Sequence, residues 1–334
     1  IELETPITII GDIHGNIHDL LRILVSCNKQ PPNKFLFLGD YVDRGKYSIE
    51  VVALLFALAI NKPHSYYMIR GNHEFESINS KYGFKDEITQ MYGNDDELYN
   101  TFNEAFSYLP FAAQVNQTIL CLHGGLSVQL QNVEQIRAIK LPVASFASEN
   151  EEDTLISDIL WSDPSDKTGN YMISQRGYGI IFGIKLVSDF FASSGIKRLI
   201  RGHNCVTNGI KTQFDGKVIT VFSSSYYNDE ENKAAFLYID EETLFHHTTL
   251  SPHRYTPKNS ANFIDQESPP YQSTEPLAIK TSLSQIHFRT TNLRSASSGF
   301  TNLNHGRKPI QRRRMVHHIL SCDNFSNLLA KNYS

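Results

Sequence analysis

The chain has 334 residues, of which 40% are hydrophobic and 20% are charged, and its formal net charge is −4. This composition is close to the globular average and excludes collagen-like, disulfide-scaffold and wholly disordered chains. The four cysteines are scattered without a C-x-x-C pair, which argues against a zinc ribbon and suits a reducing compartment. The longest apolar run, residues 51–60, is too short for the roughly 20 residues of a membrane span. With no signal peptide, we expect an intracellular protein of the cytoplasm, the nucleus or both.

Up to about residue 249, short apolar strands alternate with amphipathic helices, a pattern typical of α/β folds. The predicted strands are residues 5–10, 34–38, 66–69, 111–115, 118–122, 198–200, 210–214, 218–222 and 235–239. The predicted helices are residues 17–26, 48–60, 97–107, 133–138 and 186–194. Asp215-Gly216 predicts a two-residue hairpin turn, and Gly195 predicts the C-terminal cap of the last helix.

The last 85 residues differ in charge and composition from the rest. Residues 250–334 carry a net charge of +7, against −11 for residues 1–249, and 26 of the 85 are Ser, Thr or Asn. Such a segment buries too little apolar surface to offset its chain entropy. We predict a catalytic domain at 1–249 and a basic, largely disordered tail at 250–334, with a short amphipathic helix over 317–330 as the exception.

The tail carries two kinds of short motif. Ser251-Pro252, Thr256-Pro257 and Ser268-Pro269 are minimal targets of proline-directed kinases, although such pairs are also common in disordered segments. Arg307-Lys308 and residues 312–314 fit a nuclear import signal, a polyanion contact or a solvated charge run. No base-reading motif accompanies them, so we expect no nucleic-acid partner.

Five predicted strands end in clusters of Asp, His, Asn or Arg beside glycine. The clusters are Gly11-Asp12-Ile13-His14-Gly15, Gly39-Asp40-Tyr41-Val42-Asp43-Arg44-Gly45, Arg70-Gly71-Asn72-His73-Glu74, His123-Gly124-Gly125 and Arg201-Gly202-His203-Asn204. Ligand sites of α/β sheets lie beyond the carboxyl ends of strands, where loops aim side chains at one point. Glycine permits the tight turns that this convergence needs.

These clusters carry the donors of a metal site. Carboxylate, imidazole and amide groups without thiolate suit manganese, zinc or iron rather than a structural zinc. Six donors exceed one tetrahedral site, and a bridging carboxylate would place two divalent ions roughly 3.5–4 Å apart. The predicted metal ligands are Asp12, His14, Asp40, Asn72, His123 and His203. The positive charge of two ions attracts phosphate, and Arg44 and Arg176 would add planar forks for its oxygens.

The order and spacing of the clusters resemble the phosphoprotein phosphatase family of serine/threonine phosphatases. Leu160-Trp161-Ser162-Asp163-Pro164, Arg176-Gly177 and Phe222-Ser223 ahead of Tyr227 extend the resemblance over residues 3–249. Within that family, residues 41–46, 77–79 and 82–84 look most similar to type 1 phosphatases. The resemblance implies an α/β metallophosphoesterase (calcineurin-like) fold, with two mixed β-sheets in a sandwich flanked by helices and a dinuclear site at one edge.

The resemblance also implies a role for each residue. Asp12 and His14 would hold the first ion, Asn72, His123 and His203 the second, and Asp40 both. A hydroxide bridging the ions would attack phosphorus in line, and no phosphoenzyme would form.

The leaving group and the phosphate would be handled by other side chains. His73, held by Asp43, would be the general acid that protonates the departing seryl or threonyl oxygen. The phosphoryl oxygens would be bound by Arg44, Arg176 and Asn72, with Asp163 and Tyr227 behind the ligands or at the rim.

Several positions depart from the family pattern. Thr212 and Thr248 stand where type 1 relatives have aromatic residues in a peptide-docking groove, so we expect regulatory subunits to bind differently here. Residues 224–228 also differ from the family's loop beside the active site. The helical segment that precedes the first strand in relatives is missing from this sequence.

Two other functions share part of the pattern. A symmetrical dinucleoside-polyphosphate hydrolase has the same metal clusters, but the Trp161-Ser162-Asp163-Pro164 block and the length of the resemblance argue against it. A catalytically silent phosphoprotein-binding scaffold is disfavoured because all ligands, both arginines and His73 are present. The sequence therefore favours a protein serine/threonine phosphatase that uses two divalent ions, manganese or iron with zinc, and acts on phosphoproteins.

Overall fold

The structure is a computed structural model, and it describes residues 1–27, 34–94, 96–146, 150–254 and 256–260. The predicted helix over 317–330, the basic motifs and Ser268 lie outside the described residues. Residues 256–260 belong to a unit of their own and end in a 3₁₀ turn, Lys258–Ser260. The division into a domain at 1–249 and a disordered tail stays a prediction.

Every strand and helix predicted within residues 1–249 is present, with each end within two residues of its prediction. The helices are α1 (Ile17–Cys27), α2 (Ser48–Asn61), α3 (Glu76–Asn79), α4 (Phe84–Tyr92), α5 (Asp96–Ser107), α6 (Glu134–Arg137), α7 (Glu151–Trp161) and α8 (Ile184–Ser194). The strands are β1 (Glu2–Leu3), β2 (Ile7–Ile10), β3 (Phe35–Phe37), β4 (Tyr66–Met68), β5 (Ala112–Val115), β6 (Ile119–Leu122), β7 (Asp163–Pro164), β8 (Tyr171–Ile173), β9 (Ile180–Phe182), β10 (Arg198–Arg201), β11 (Ile210–Gln213), β12 (Val218–Val221), β13 (Ala234–Ile239) and β14 (Phe245–Leu250).

Two mixed sheets form a sandwich, as the resemblance implied. The first sheet has the order β1-β5-β6-β10-β12-β11 and the second has the order β14-β13-β2-β3-β4. Strands β2, β3 and β4 run parallel in one sheet, and β6, β10 and β12 run parallel in the other. Parallel neighbours bring their carboxyl ends to the same edge. A third sheet, β7-β9-β8, is small.

Alternation along the strands divides the apolar core into three layers. In β2, Ile7 and Ile9 pack between the two large sheets, whereas Ile10 points outward to a layer with α1, α2, α4 and α5. Leu120 and Leu199 of the first sheet pack outward against α6, α7 and α8. The sandwich flanked by helices is therefore confirmed. Among the described residues, no helix is long and apolar enough to cross a bilayer.

The hairpin turn predicted at Asp215-Gly216 and the helix cap predicted at Gly195 are both present. Lys217 N donates to Phe214 O at 3.1 Å around Asp215-Gly216, and both central residues have positive φ, as the hairpin turn requires. Gly195 has φ 76° and ends α8.

Helices α3, α4 and α7, strands β1 and β14 and the small sheet lie outside the predictions. Helix α4 buries only Phe84 and Ile88, so its apolar periodicity is weak. Helix α7 does carry a start signal, because the Asn150 side chain accepts from Asp153 N at 2.8 Å ahead of three acidic residues. The strands of the small sheet have two or three residues each, too few to show a period.

The two large sheets meet at the edge where β2 and β12 end. Asp12 and Phe222 form a parallel bridge, and Ser223 N donates to Asp12 O at 3.1 Å. A Cβ on Gly11 would lie 1.9 Å from Val221 O, so glycine is needed for this close approach. The bridge places Asp12 at the junction of the sheets, where the other clusters also end.

Candidate metal centre and phosphate-binding rim

The side chains predicted to bind metal come together around the Asp40 carboxylate, which follows β3. Asp40 Oδ2 lies 3.4 Å from His14 Nε2, and Asp40 Oδ1 lies 3.2 Å from His123 Nε2. Asn72 Oδ1 lies 2.7 Å from the same His123 nitrogen. Two sets of possible ligands share Asp40, with the ligand atoms of each set within 4.8 Å of one another: His14, Asp40 and His73, and Asp40, His123 and His203.

Backbone carbonyls orient the rings of His14 and His123. His14 Nδ1–H donates to Val42 O at 2.9 Å, and His123 Nδ1–H donates to Leu38 O at 2.8 Å. These bonds turn the Nε2 atom of each ring toward Asp40. Histidines that bind metals are held in the same way, with the second nitrogen fixed by a partner behind the ring.

Three buried polar atoms of the cluster form no hydrogen bond within the described residues: Asp12 Oδ2, Asn72 Nδ2 and His203 Nε2. Leaving such an atom without a partner costs about 1–3 kcal/mol, so the cluster is built to receive a ligand. The distance of 3.7 Å from Asp12 Oδ2 to His14 Nε2 is too long for a hydrogen bond. Carboxylate, imidazole and amide donors match manganese, iron and zinc, so the residues fit the predicted divalent ions.

Burial and neighbouring charges move the pKa values of the cluster's carboxyl and imidazole groups in opposite directions. Burial, with the Asp40 carboxylate, raises the pKa of Asp12 to about 6. Burial lowers the pKa of His14 to about 3 and keeps the pKa of His203 well below its usual value. Burial also disfavours the charged form of His123, but Asp40 outweighs it and raises the pKa to about 9. His14 and His203 are therefore neutral at pH 7, as metal ligation requires.

His73 lies beside the cluster, but its contacts differ from those of the other imidazoles. Its Nδ1–H donates to Asp43 Oδ2 at 2.6 Å, while Asp43 Oδ1 accepts from Phe84 N at 2.9 Å. Its Nε2 lies 3.9 Å from Asp40 Oδ2. Burial opposes the charged ring, but Asp40 and Asp43 raise the pKa of His73. Both carboxylates therefore favour the protonated form of the His73 ring.

Two exposed arginines form the rim of the cluster. The Arg44 guanidinium lies 4.2 Å from the centre of the Tyr82 ring, and Arg44 N donates to Tyr82 O at 3.0 Å. Arg176 Nε donates to Asp163 Oδ2 at 2.7 Å. The positive charge of Arg176 adds to the burial that lowers the pKa of His203.

Aromatic rings cover both sides of the donor set. The Tyr227 ring stacks on His14 with centroids 5.1 Å apart. On the other side, Trp161 meets His203 edge to face at 5.5 Å, and Tyr178 stacks on Trp161 at 5.3 Å. These rings pack against the cluster at His14 and at His203.

Site residues adopt a strained backbone. Residues in the left-handed region include His14 (φ 46°), Asp40 (φ 54°), Asp43 (φ 70°), Arg44 (φ 66°) and His203 (φ 66°). Each costs on the order of 1–3 kcal/mol for a residue with a Cβ. Such strain persists where the surrounding fold fixes the loops, and it collects at functional sites.

Two charged residues without a predicted role, Glu74 and Arg201, hold the site together. Glu74 accepts from Asp40 N at 2.7 Å and from Tyr41 N at 2.8 Å, so it fixes the loop that presents Asp40. Arg201 is buried and donates to Asp163 Oδ1 at 2.9 Å, behind Arg176. Both residues belong to the sequence clusters at the strand ends, so their place in those motifs could have identified them as residues of the site.

Thr212 and Thr248 lie apart from the cluster. Thr212 is exposed on β11, the edge of the first sheet, and Thr248 is exposed on β14, the edge of the second sheet. Their effect on a docking groove stays a prediction.

Comparison with known proteins agrees with this geometry. The family model of calcineurin-like phosphoesterases matches residues 5–206, which include every residue of the cluster and both rim arginines. A protein serine/threonine phosphatase from Saccharomyces cerevisiae, described as similar to human phosphatase PP5, is 28% identical with a TM-score of 0.69. That alignment covers 77% of this chain and 85% of the yeast chain. A cold-active protein-tyrosine phosphatase from a Shewanella species is 16% identical with a TM-score of 0.54, covering 75% and 82% of the two chains, and shares the fold. The buried Asp/His/Asn cluster lies within the family-model match, and because that model covers more than half of the chain, the chain belongs to the calcineurin-like phosphoesterase family.

Proposed function

We propose that this metallophosphoesterase is a protein serine/threonine phosphatase that uses two divalent ions. The observation that carries the proposal is the convergence of five other donors on Asp40, with the His73–Asp43 pair beside them and two arginines at the rim. The identity of 28% to the yeast serine/threonine phosphatase supports the substrate class. When bound, two divalent ions would neutralise phosphate charge and lower the pKa of water toward neutrality.

The metal ligands would be divided as the resemblance implied. Asp12 and His14, with Oδ2 and Nε2 3.7 Å apart, would hold one ion, and His123 and His203, with ring centroids 5.1 Å apart, would hold the other together with Asn72, while Asp40 would bind both. Asn72 has two functions in this arrangement. Its Oδ1 faces the ligand set, whereas its Nδ2 has no partner within the described residues and would donate to a phosphoryl oxygen.

The chain's own residues would grip the phosphate and supply the proton. Arg44 and Arg176 would bind phosphoryl oxygens, with Tyr82 and Asp163 holding their guanidinium groups. The His73 Nε2–H would protonate the departing seryl or threonyl oxygen, since an alkoxide is a poor leaving group. Asp43 would keep the ring oriented and charged.

The type 1 subclass is the finer part of the proposal. It rests on residues 41–46, 77–79 and 82–84 in the sequence, whereas the yeast relative is described as similar to phosphatase PP5. Phosphoproteins would be the substrates, and regulatory subunits would select them through surfaces altered at Thr212 and Thr248.

Hydrolysis of a phosphothreonine peptide after chelation and manganese add-back tests the function. We expect activity to return with metal in the wild type and to stay low in His73→Asn. Phosphotyrosine peptide and dinucleoside tetraphosphate serve as competing substrates under the same conditions. Faster turnover of either one would contradict the assignment to serine/threonine phosphatases, and two bound ions without any turnover would favour a scaffold.

A further inference from the structure

After β14, the chain runs across α1 and the loop of residues 223–228 as a segment without helix or strand. We call this segment, residues 251–254, the strap. Its contacts are Arg22 Nη2 donating to Ser251 O at 3.0 Å, His253 N donating to Ser225 Oγ at 3.1 Å, and the Arg254 guanidinium 5.2 Å from the Tyr226 ring. The strap is therefore fixed on the body of the protein at both of its ends.

Ser251, the first residue of the strap, is exposed and precedes Pro252. The Arg22 guanidinium already contacts its carbonyl, so a charge placed on its Oγ would lie beside a permanent cation. The His253 ring, two residues on, lies 5.6 Å from the His18 ring of α1. Asp19 of α1 is acidic, and its Oδ1 accepts from Arg22 Nη1 at 2.7 Å.

Arg22 connects the strap to the loop beside the metal centre. While Arg22 holds Asp19 Oδ1, Asp19 Oδ2 accepts from Ser225 N at 2.5 Å and from Asn16 Nδ2 at 2.7 Å. The same loop carries Tyr227, which stacks on His14. A ligand that engages the second η nitrogen of Arg22 therefore acts on a hydrogen-bonded path that runs from the strap through Asp19 to Ser225, in the loop that carries Tyr227.

We propose that Ser251 is a phosphorylation site whose phosphate is bound by Arg22. A proline-directed kinase and ATP would supply the group: the Ser251 Oγ–P bond forms, the bond from the γ-phosphorus to ADP breaks, and the hydroxyl proton passes to the kinase's base. The phosphate replaces the Ser251 carbonyl on Arg22 Nη2, and Nη1 stays on Asp19. The exchange tightens the strap and the loop of residues 223–228. The proposal does not depend on the proposed function.

Phosphorus NMR of the full chain tests the site directly. The chain carries Thr256→Ala and Ser268→Ala, which remove the other two proline-directed targets, and His73→Asn, which prevents loss of the phosphate through its own hydrolysis. After treatment with a proline-directed kinase, we expect one phosphate, located on Ser251 by peptide mass spectrometry. Its second pKa should lie at least about half a unit below that of a phosphopeptide spanning residues 247–258, because the peptide lacks Arg22.

Arg22→Gln should restore the pKa of the peptide. Since that change leaves Asp19 buried without its cation, Asp19→Asn with Arg22→Gln is the matched variant that removes both charges. Deuterium uptake of residues 223–229 should slow at least twofold on phosphorylation, and this slowing should be lost in the double variant. A peptide that is phosphorylated while Ser251 in the chain is not, a pKa equal to that of the peptide, or unchanged uptake would each overturn the proposal.

Discussion

The donor cluster and the rim differ in how tightly the fold holds them. Asp12, Asp40 and His123 are fully or almost fully buried, and backbone hydrogen bonds fix the loops that present them. Arg44 and Arg176 are exposed, and each is held mainly by one neighbour, Tyr82 or Asp163. Buried, rigidly held side chains keep the geometry that catalysis requires, whereas exposed guanidinium groups can adjust to a bound phosphate.

The largest effect should come from Asp40→Asn, because Asp40 belongs to both ligand sets. We expect loss of metal binding and a fall in phosphopeptide turnover of at least about 10⁴-fold. Metal content by mass spectrometry and kcat are the measurements. Asp240→Asn, which removes a carboxylate paired with His246, is the control and should change neither. Retained metal at full occupancy in Asp40→Asn would show that the cluster does not depend on this bridge.

His73→Asn should lower kcat by about 10²–10⁴-fold, the usual contribution of a general acid. Metal content should stay at the wild-type level, since Asn removes a proton donor and not an assigned ligand. Asp43→Asn should reduce kcat less, because the ring keeps its place but loses the charge that favours its protonated form. A fall in metal content in His73→Asn would instead place His73 among the ligands, as its distance to Asp40 allows.

The metal-free protein should lose stability as pH rises from 6.5 to 9. The folded pKa of His123 is raised to about 9, so its contribution is complete below the unfolded value of about 6.5 and disappears as pH passes the folded pKa. The loss should approach about 3 kcal/mol of unfolding free energy. Urea unfolding with chelator at pH 6.5, 7.5 and 9 measures it, and His123→Asn should flatten the slope. An equally steep fall of the unfolding free energy with pH in that variant would show that another group causes the pH dependence.

Substitution at the rim should act on substrate affinity more than on chemistry. Arg176→Met should raise KM about tenfold, the value of one charge-assisted contact, and should leave metal content unchanged. Arg137→Met removes an exposed arginine that pairs with Glu2 and Glu134, and it should leave KM unchanged. A lower metal content in Arg176→Met would contradict the prediction, because it would show that this arginine also supports metal binding.

The smallest effect should be that of Tyr82→Leu. A cation–π contact at an exposed site contributes about 0.5–1 kcal/mol, so KM should rise about two- to fivefold as Arg44 loses its support. Tyr82→Phe keeps the ring and should behave as wild type. Inhibition by inorganic phosphate checks the same contact without the peptide, and equal inhibition of all three proteins would contradict this role of Tyr82.

The sequence by itself determined the elements and the candidate donors. Apolar residues in alternation, such as Ile7 and Ile9, specify a strand locally. The clusters that follow such strands meet where parallel strands end at the same edge of a sheet. The weakly periodic helix α4 and the two- and three-residue strands of the small sheet escaped prediction, because their positions depend on packing rather than on a local period.

Only the tertiary structure decided how the donors act together. The orientation of His14 and His123 depends on carbonyls of Val42 and Leu38, distant in sequence, and no local pattern encodes such bonds. The opposite pKa shifts of Asp12 and His203 arise from burial at the junction of two sheets. Chemistry-bearing residue types are therefore visible in the sequence, whereas their protonation and geometry follow from long-range contacts that form only on folding.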